Sequence, residues 1–217
     1  MTMSADGPVV KQRRAYDARR RREAATARRD AVIAAAERRF LADGYAATTI
    51  AALAADAGTS VDSVYKAFGG KPGLVRAIWR KALEGGGPVP AEQRSDDLQN
   101  REPDPRRIIE GWGAFSAELA PRTVPILLLV RAAAATDPEM RVLQDQLDAG
   151  RLRRMTDNAR RLRDHGHLRD GIALAQAADV LWTYSSAELC EMLVYRRGWS
   201  PYRYGRFIAD AMIAALL

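Results

Sequence analysis

The sequence has 217 residues, of which 47% are apolar, a fraction that supports a buried core and excludes a wholly disordered chain. Aromatic residues make up only 7%, while alanine and leucine recur and β-branched runs are scarce, so packed helices are favoured over a sheet. The net charge is +7, the one cysteine, Cys190, excludes an internal disulfide framework, and the longest apolar run, around residues 126–130, is too short to span a membrane. We expect a cytoplasmic protein with no membrane partner.

Residues 1–20 mix glycine, proline, serine and charge without periodicity, and they predict a flexible basic arm. The charge excess lies in the N-terminal part: residues 1–84 carry 16 Lys and Arg against 9 Asp and Glu, whereas residues 85–217 carry 18 of each. This asymmetry suggests a nucleic-acid partner, and the alternative is a solvated tail in an arginine-rich chain. The cations of the basic segment are Lys11, Arg13, Arg14, Arg19, Arg20, Arg21, Arg22, Arg28 and Arg29.

Helical spacing of apolar residues, bounded by capping residues and glycines, predicts four helices in the N-terminal part. They cover about residues 22–42, 49–56, 60–68 and 71–84. After a Gly- and Pro-rich loop over 85–105, five more helical patterns follow, and Pro121 separates the first two. They cover residues 106–120, 123–135, 138–165, 172–197 and 201–216, which makes nine helices and no credible strand.

Three of these elements, within residues 28–68, have the spacing of a helix-turn-helix, in which a third helix enters the major groove of DNA. Ala54 is small where two helices must approach, and Gly58 lies where the turn needs an unusual backbone angle. A third helix of about seven residues is roughly 10 Å long, which fits a groove about 12 Å wide.

The stretch from Gly44 to Leu74 carries many residues at fixed spacings. It reads Gly44-Tyr45-x-x-Thr48-Thr49-Ile50-x-x-Leu53-Ala54-x-x-Ala57-Gly58-Thr59-Ser60-x-x-x-Val64-Tyr65-x-x-Phe68-x-x-Lys71-x-x-Leu74. This pattern resembles the signature of the tetracycline-repressor (TetR) family of transcriptional regulators. Departures at Thr59, Ala67 and Pro72 bear on which operator is bound, not on DNA binding itself.

The resemblance implies a nine-helix, all-α protein in five parts. They are a flexible basic arm (residues 1–20), a three-helix helix-turn-helix DNA-binding domain (21–70), a connecting helix (71–84), a loop (85–105) and a helical ligand-binding and dimerisation domain (106–217).

The resemblance also implies two sets of DNA-binding residues. The first set would contact phosphate oxygens through hydroxyl, phenol and ammonium groups, and it comprises Thr48, Thr49, Ser60, Tyr65 and Lys71. The other set would read base edges: Val61, Asp62, Ser63 and Lys66, with Thr59 at the margin. Three of these have alternatives, because Tyr65 could be a packing ring, Lys71 a surface charge and Asp62 a favourable helix N-terminal acid.

A ligand cavity among the fifth to eighth helices is a further implication of the resemblance. Candidate lining residues are Trp112, Phe115, Leu119, Leu128, Arg131, Met155, Trp182 and Ser186, with core packing as the alternative for each. Arg131 lies among leucines and alanines and needs a partner if it is buried, either an acidic ligand or the nearby Glu118 or Asp137.

The expected function is that of a homodimeric repressor, acting at the nucleoid on a near-palindromic operator in double-stranded DNA. The last two helices, about 172–197 and 201–216, are the expected dimer surface, with packing inside one subunit as the alternative. An unidentified small-molecule effector would displace the fourth helix and move the reading helices out of register. Alternatives are a regulator without an inducer, an activator, or a helical small-molecule-binding protein that does not bind DNA.

The residues do not favour an enzyme, a cofactor or a metal site. His165 and His167 flank Gly166, and the nearby Asp164 and Asp170 are better explained as charge partners than as metal ligands. Cys190 lies in an apolar helix with no histidine close in sequence, which is typical of a core residue.

Overall fold

A computed structural model describes residues 8–85 and 89–217, with side chains from residue 19 onward. The regular elements within these ranges are all helical, which confirms the predicted fold class. The chain divides into two units, and the boundary falls between Leu74 and Val75.

The first unit contains α1 (Pro8–Asp43), α2 (Ile50–Asp56), α3 (Val61–Phe68) and the first residues of α4 (Lys71–Glu84). The prediction of a flexible arm over residues 1–20 is wrong from Pro8 onward, because the chain is helical there; residues 1–7 lie outside the described residues. Residues 9–43 contain neither glycine nor proline, so nothing interrupts the helix. The core of this unit includes Val32, Ile33, Phe40, Leu53, Val64 and Leu74.

The second unit contains the remainder of α4 and six further α-helices. These are α5 (Ala91–Arg101), α6 (Pro105–Ala134), α7 (Pro138–Asp164), α8 (Leu174–Tyr184), α9 (Ala187–Cys190), which a π-helical turn (Glu191–Arg196) continues, and α10 (Pro201–Leu216). The described chain has nine helices when α8, α9 and the π turn count as one interrupted helix.

Helix α5 lies within residues 85–105, so the prediction of a loop over this range is wrong. Its buried positions are Ala91, Ser95 and Gln99, so the inward face is mostly polar and shows no apolar periodicity. The Gln99 amide donates to Asn158 Oδ1 on α7 at 3.3 Å. Polar contacts, which an apolar pattern cannot reveal, hold this helix in place.

Helix α6 continues through Pro121 and Pro125, so the predicted break at Pro121 is wrong. Each proline removes one N–H donor from the helix ladder, and packing of α6 against α7 and α10 offsets the loss. By length and composition, the uninterrupted helix could cross a bilayer. About one third of its most apolar stretch is buried inside the protein, and a long core helix has the same length and composition.

The predicted helix over 172–197 is interrupted between α8 and α9. Ser185 donates its hydroxyl to the Trp182 carbonyl at 3.0 Å, and the Ser186 hydroxyl accepts from the Leu189 amide at 3.3 Å. Serine side chains compete with the helix ladder in this way, so the first helix ends and a new one begins. At the end of α9, Cys190 is buried, and burial raises its thiol pKa to about 11.

Two glycines allow α6 and α10 to pack with their backbones in contact. A Cβ added to Gly113 would lie 2.3 Å from the Gly205 carbonyl oxygen, and one added to Gly205 would lie 2.5 Å from that of Gly113. Real Cβ atoms do not approach backbone oxygens so closely, so any side chain here forces the two helices apart.

We therefore predict that Gly205→Ala lowers the free energy of unfolding by about 1–3 kcal/mol, the range of overpacked cores. Gly150→Ala on α7 is the matched control, because its Cβ would meet nothing closer than 3.7 Å. In an open helical position this exchange stabilises by roughly 0.5–1 kcal/mol. Urea unfolding measures both changes, and a Gly205→Ala variant as stable as the native chain would contradict the predicted contact.

Candidate functional site

Helix α3 presents most of its side chains to solvent. The Ser60 hydroxyl caps its start by accepting from the Ser63 amide at 3.2 Å, and Gly69, at φ +76°, ends it in the left-handed conformation. Its eight residues give a length of about 12 Å, slightly more than predicted. Val64 is its buried residue, whereas Val61, Asp62, Ser63, Tyr65 and Lys66 are exposed and Thr59, just before the helix, is half-buried.

Arg29 on α1 braces the C-terminal end of α3. Its Nη1 donates to the Ala67 carbonyl at 3.2 Å, and its guanidinium lies 4.4 Å from the centre of the Phe68 ring. In the sequence Arg29 is only one cation of the basic segment, since nothing there links it to a residue 38 positions away. Its contacts make it a positioning residue for α3.

The backbone of α4 also abuts α3. A Cβ on Gly73 would lie 1.7 Å from the Phe68 carbonyl oxygen, so only glycine fits at this position. The last turn of α3 is thus held by the side chain of Arg29 and by the backbone at Gly73.

Thr48 and Lys71, two predicted phosphate contacts, have internal partners instead. Thr48 is only 3% exposed and donates its hydroxyl to the Gly44 carbonyl at 2.8 Å. The Lys71 ammonium donates to the carbonyls of Tyr45 at 2.6 Å and Thr48 at 3.1 Å, and it lies 4.2 Å from the centre of the Tyr45 ring. Both residues fix the turn before α2. Thr48 is too buried to contact a phosphate, whereas the phosphate contact of the half-buried Lys71 stays a prediction. Thr49 remains exposed and caps α2 through the Ala52 amide.

An ion pair joins α1 to α2. Arg39 Nη2 donates to Asp56 Oδ1 at 3.0 Å, and Nε donates to the second carboxylate oxygen. These hydrogen bonds and the charge of Arg39 lower the pKa of Asp56 below its ordinary value. The pair therefore holds the helix that precedes α3 against α1.

The second unit contains a partly open cavity of about 360 Å³. Its wall is mainly apolar and aromatic, and the polar residues among the apolar side chains carry hydroxyl, amide, guanidinium and carboxylate groups. The lining includes Trp79, Leu83, Glu92, Trp112, Phe115, Ser116, Leu119, Thr123, Leu127, Arg151, Arg154, Met155, Asn158, Tyr184, Ser186, Tyr204 and Ile208.

The eight candidate lining residues separate into two groups. Those on the cavity wall are Trp112, Phe115, Leu119, Met155 and Ser186. Leu128, Arg131 and Trp182 do not line it, since Leu128 packs against the hydrophobic core and the Trp182 ring stacks on the Arg151 guanidinium at 4.4 Å. Arg151 and Arg154 were not predicted as wall residues, because both are on the polar-patterned helix α7.

Arg131 pairs with neither of its predicted partners. Its Nη1 lies 3.0 Å from Glu188 Oε1 and its Nη2 lies 2.8 Å from Glu191 Oε2. Of the predicted partners, Glu118 pairs with Arg94 at 2.7 Å, and the Asp137 carboxylate caps α7. Arg131 is exposed, so an ordinary surface network satisfies its charge without a ligand.

In the described ranges no group of three His, Cys, Asp or Glu side chains could hold a metal ion. The His165 and His167 rings stack at 5.7 Å, and His165 Nδ1 lies 2.8 Å from the Arg161 carbonyl oxygen. Asp164 pairs with Arg163 at 2.8 Å. His165, His167 and Asp164 therefore have structural partners within the protein.

Comparison with known proteins connects this geometry to a family. Residues 32–78 match the family model described as bacterial regulatory proteins, tetR family. No protein with a curated description matched the sequence.

Three solved structures illustrate the structural similarity. The SmeT–triclosan complex is 25% identical, with a TM-score of 0.69 over 88% of this chain and 92% of the other. Native NalD, the secondary repressor of the MexAB-OprM multidrug efflux pump in Pseudomonas aeruginosa, is 18% identical, with a TM-score of 0.67 over 88% and 98% of the two chains. PfmR, a TetR-family transcriptional regulator from Thermus thermophilus, is 21% identical, with a TM-score of 0.57 over 87% and 97%.

The matched segment contains α2, α3 and the turn that Lys71 holds, and the structural similarity extends over both units. Residues 32–78 therefore form a DNA-binding domain of the tetR family of bacterial regulatory proteins, and the fold of the described chain is similar to that of TetR-family structures.

Proposed function

We propose that this protein is a homodimeric transcriptional repressor that leaves its operator when a small molecule fills the cavity of the second unit. The observation that carries the proposal is the course of α4. This helix begins in the first unit, where Lys71 holds the turn before α2, and ends in the second, where Trp79 and Leu83 line the cavity. One continuous helix thus carries residues of both the DNA-binding unit and the cavity wall.

The exposed face of α3 supports a role in reading bases. Lys66 can donate to a guanine edge, Asp62 can accept from a cytosine amino group, and the Val61 side chain can contact a thymine methyl. Thr49, Ser60 and Tyr65 offer hydroxyl groups for phosphates beside them. A dimer doubles this short recognition surface, which is why we expect a near-palindromic operator.

The basic part of α1 supports non-specific attraction to DNA. Arg19, Arg20, Arg21 and Arg22 are exposed on a helical segment and not on a flexible arm. Cations that approach phosphates release counterions, so this segment contributes a salt-dependent share of the affinity. The proposed place of action is the nucleoid in the bacterial cytoplasm, with no membrane partner.

Release by a ligand requires unequal affinity for two conformations of the protein. A hundredfold loss of operator affinity needs about 2.7 kcal/mol of preference for the conformation that does not bind DNA. The cavity volume of about 360 Å³ lies within the range of small-molecule sites. SmeT forms a complex with triclosan and NalD is a repressor, so ligand binding and repression both occur among proteins of similar fold.

Exposed apolar side chains support dimerisation through the C-terminal helices. Met192 and Tyr195 on the π turn and Tyr202 and Phe207 on α10 are all at least 40% exposed, within 16 residues of sequence. Large apolar groups clustered on a surface are typical of protein–protein contacts. The proposed dimer surface therefore comprises the π turn and α10, in the same C-terminal region as the predicted helices 172–197 and 201–216.

Our first prediction for this function concerns base reading. With an operator selected from a random duplex library, Lys66→Ala should weaken specific binding by about 1–3 kcal/mol, the value of one base contact. Arg153→Ala, which removes an exposed cation from α7, is the control and should leave the affinity within about twofold. Fluorescence anisotropy with labelled operator measures the affinity of both variants. An equal loss of affinity in the two variants would mean that α3 does not read the bases.

The second prediction concerns ligand release. Ser116→Phe places a ring on the cavity wall and should abolish the effect of an inducing compound on operator affinity while the variant still binds the operator. Ala114→Phe adds the same ring to an exposed position on the same helix and should respond as the native protein does. The compound would come from a thermal-shift screen of the free protein. Unchanged release from the Ser116→Phe variant would exclude this cavity as the effector site.

The third prediction concerns the dimer. Phe207→Glu should convert the protein to monomers in sedimentation velocity, because a charge in a buried contact loses its hydration. Val142→Glu introduces the same charge at an exposed apolar position of α7 and should leave the dimer intact. A dimeric Phe207→Glu variant would place the interface elsewhere.

A further inference from the structure

We infer that the cavity of the second unit takes an organic anion with an apolar body, and that Arg151 is the group that pairs with the anion. The biological meaning of such a ligand rests on the proposed function, since it would be the effector. The inference is based on the contacts of Arg151, which include neutral hydrogen-bond acceptors and no carboxylate within good hydrogen-bond distance.

The position of Arg151 brings a guanidinium to the wall of a mainly apolar cavity. Its side chain is only 17% exposed. Arg151 Nη1 donates to the Trp182 carbonyl at 2.6 Å and to the Ser185 hydroxyl at 3.2 Å, and the Trp182 ring stacks against the guanidinium. These neutral partners fix the direction of the side chain without neutralising its charge.

Two carboxylates, those of Asp148 and Glu188, act on the charge of Arg151, and both are partly solvated. Glu188 pairs directly with Arg131 at 3.0 Å. Asp148 lies 3.6 Å from Nη2, beyond the length of a good hydrogen bond, and that carboxylate is 47% exposed to solvent. The two hydrogen bonds from Arg151 Nη1 go to neutral oxygens. Burial lowers the pKa of this guanidinium below its ordinary value, which is the effect of a charge that is short of solvation.

Arg154, one turn further along the same helix and also on the wall, is in a different electrostatic state. Its Nη1 lies 2.9 Å from Asp96 Oδ1, and its Nη2 donates to the Glu92 carbonyl at 3.2 Å. This carboxylate, which also lies 3.4 Å from Arg161 Nη1, offsets part of the Arg154 charge at short range. An incoming anion therefore gains less from Arg154 than from Arg151.

Another wall residue offers an unused donor. Trp112 is buried, and its indole Nε1–H has no acceptor among the residues that the structure describes. A buried donor without a partner costs free energy, and a ligand that carries acceptor oxygens can satisfy it. The available donors of Arg151 and Trp112, set among apolar side chains, match a ligand with an oxyanion and an apolar remainder.

The cavity volume of about 360 Å³ lies in the range of small-molecule sites. Decanoate, a ten-carbon chain that ends in a carboxylate, serves as a probe of the inferred class. Decanol and decylammonium share its chain length and differ in the charge of the head group.

The test is a calorimetric titration of the free protein, without DNA. We expect decanoate to bind at least about tenfold more tightly than decanol, a difference of about 1.4 kcal/mol, and decylammonium to bind more weakly still. Equal or tighter binding of decanol or decylammonium by the native protein would overturn the inference without any variant being needed.

Variants then separate pairing from mere support of the fold. Arg151→Gln should remove the preference for decanoate over decanol, whereas Arg154→Gln should change that preference less than about threefold, because Asp96 already offsets part of its charge. A purely structural role for Arg151 would weaken both probes equally and leave their ratio unchanged, and that result would contradict the inference. The inference would also be contradicted if Arg154→Gln lost the preference for decanoate over decanol while Arg151→Gln kept it. Operator binding by the native protein is measured separately and tests the proposed function. A failure of the anion inference is therefore distinguishable from a failure of the proposed function.

Discussion

The position of α3 is the constraint on which the DNA-binding account depends. A helix of eight residues is too short to be stable alone in water, and this one buries a single side chain, Val64. Its geometry must therefore come from outside, and each end has a separate support. Ser60 caps the start, while Arg29 from α1 and the bare backbone of Gly73 hold the end. Because so little of α3 is used for packing, almost all of its surface remains available for a duplex.

The second unit contains polar side chains in its interior, and these also depend on contacts with other helices. Helix α5 turns a mostly polar face inward, where Gln99 meets Asn158, and α7 brings two arginines to the cavity wall. Such groups are stable in an interior only when partners satisfy them. Arg154 has its partner in Asp96, whereas the hydrogen bonds of Arg151 go to neutral oxygens. The contrast between two arginines one turn apart is what gives the cavity a chemical preference in our account.

Much of this could be predicted from the sequence, and the failures have physical causes. The motif from Gly44 to Leu74 and the capping residues Thr49 and Ser60 predicted α2 and α3 because capping is a local interaction. Helix α5 was missed because its buried face is polar, and the continuity of α6 was missed because packing overrides two prolines. The inward roles of Thr48 and Lys71, and the bracing by Arg29, depend on contacts between residues distant in sequence or on the direction of a side chain. Trp112 and Phe115 lie on the cavity wall because large apolar side chains on α6 face inward, whereas Arg151 has no such signature in the sequence.

The central claim is that α3 reads a specific DNA sequence. The most direct measurement is a competition experiment at moderate ionic strength, in which the purified native protein, bound to a duplex selected from a random library, is challenged with unselected duplex. The account predicts that roughly a thousandfold or more excess of random duplex is needed to displace half of the protein, as for specific DNA-binding proteins in general. Displacement by an equal concentration of random duplex would contradict it, because the protein would then bind DNA through charge alone.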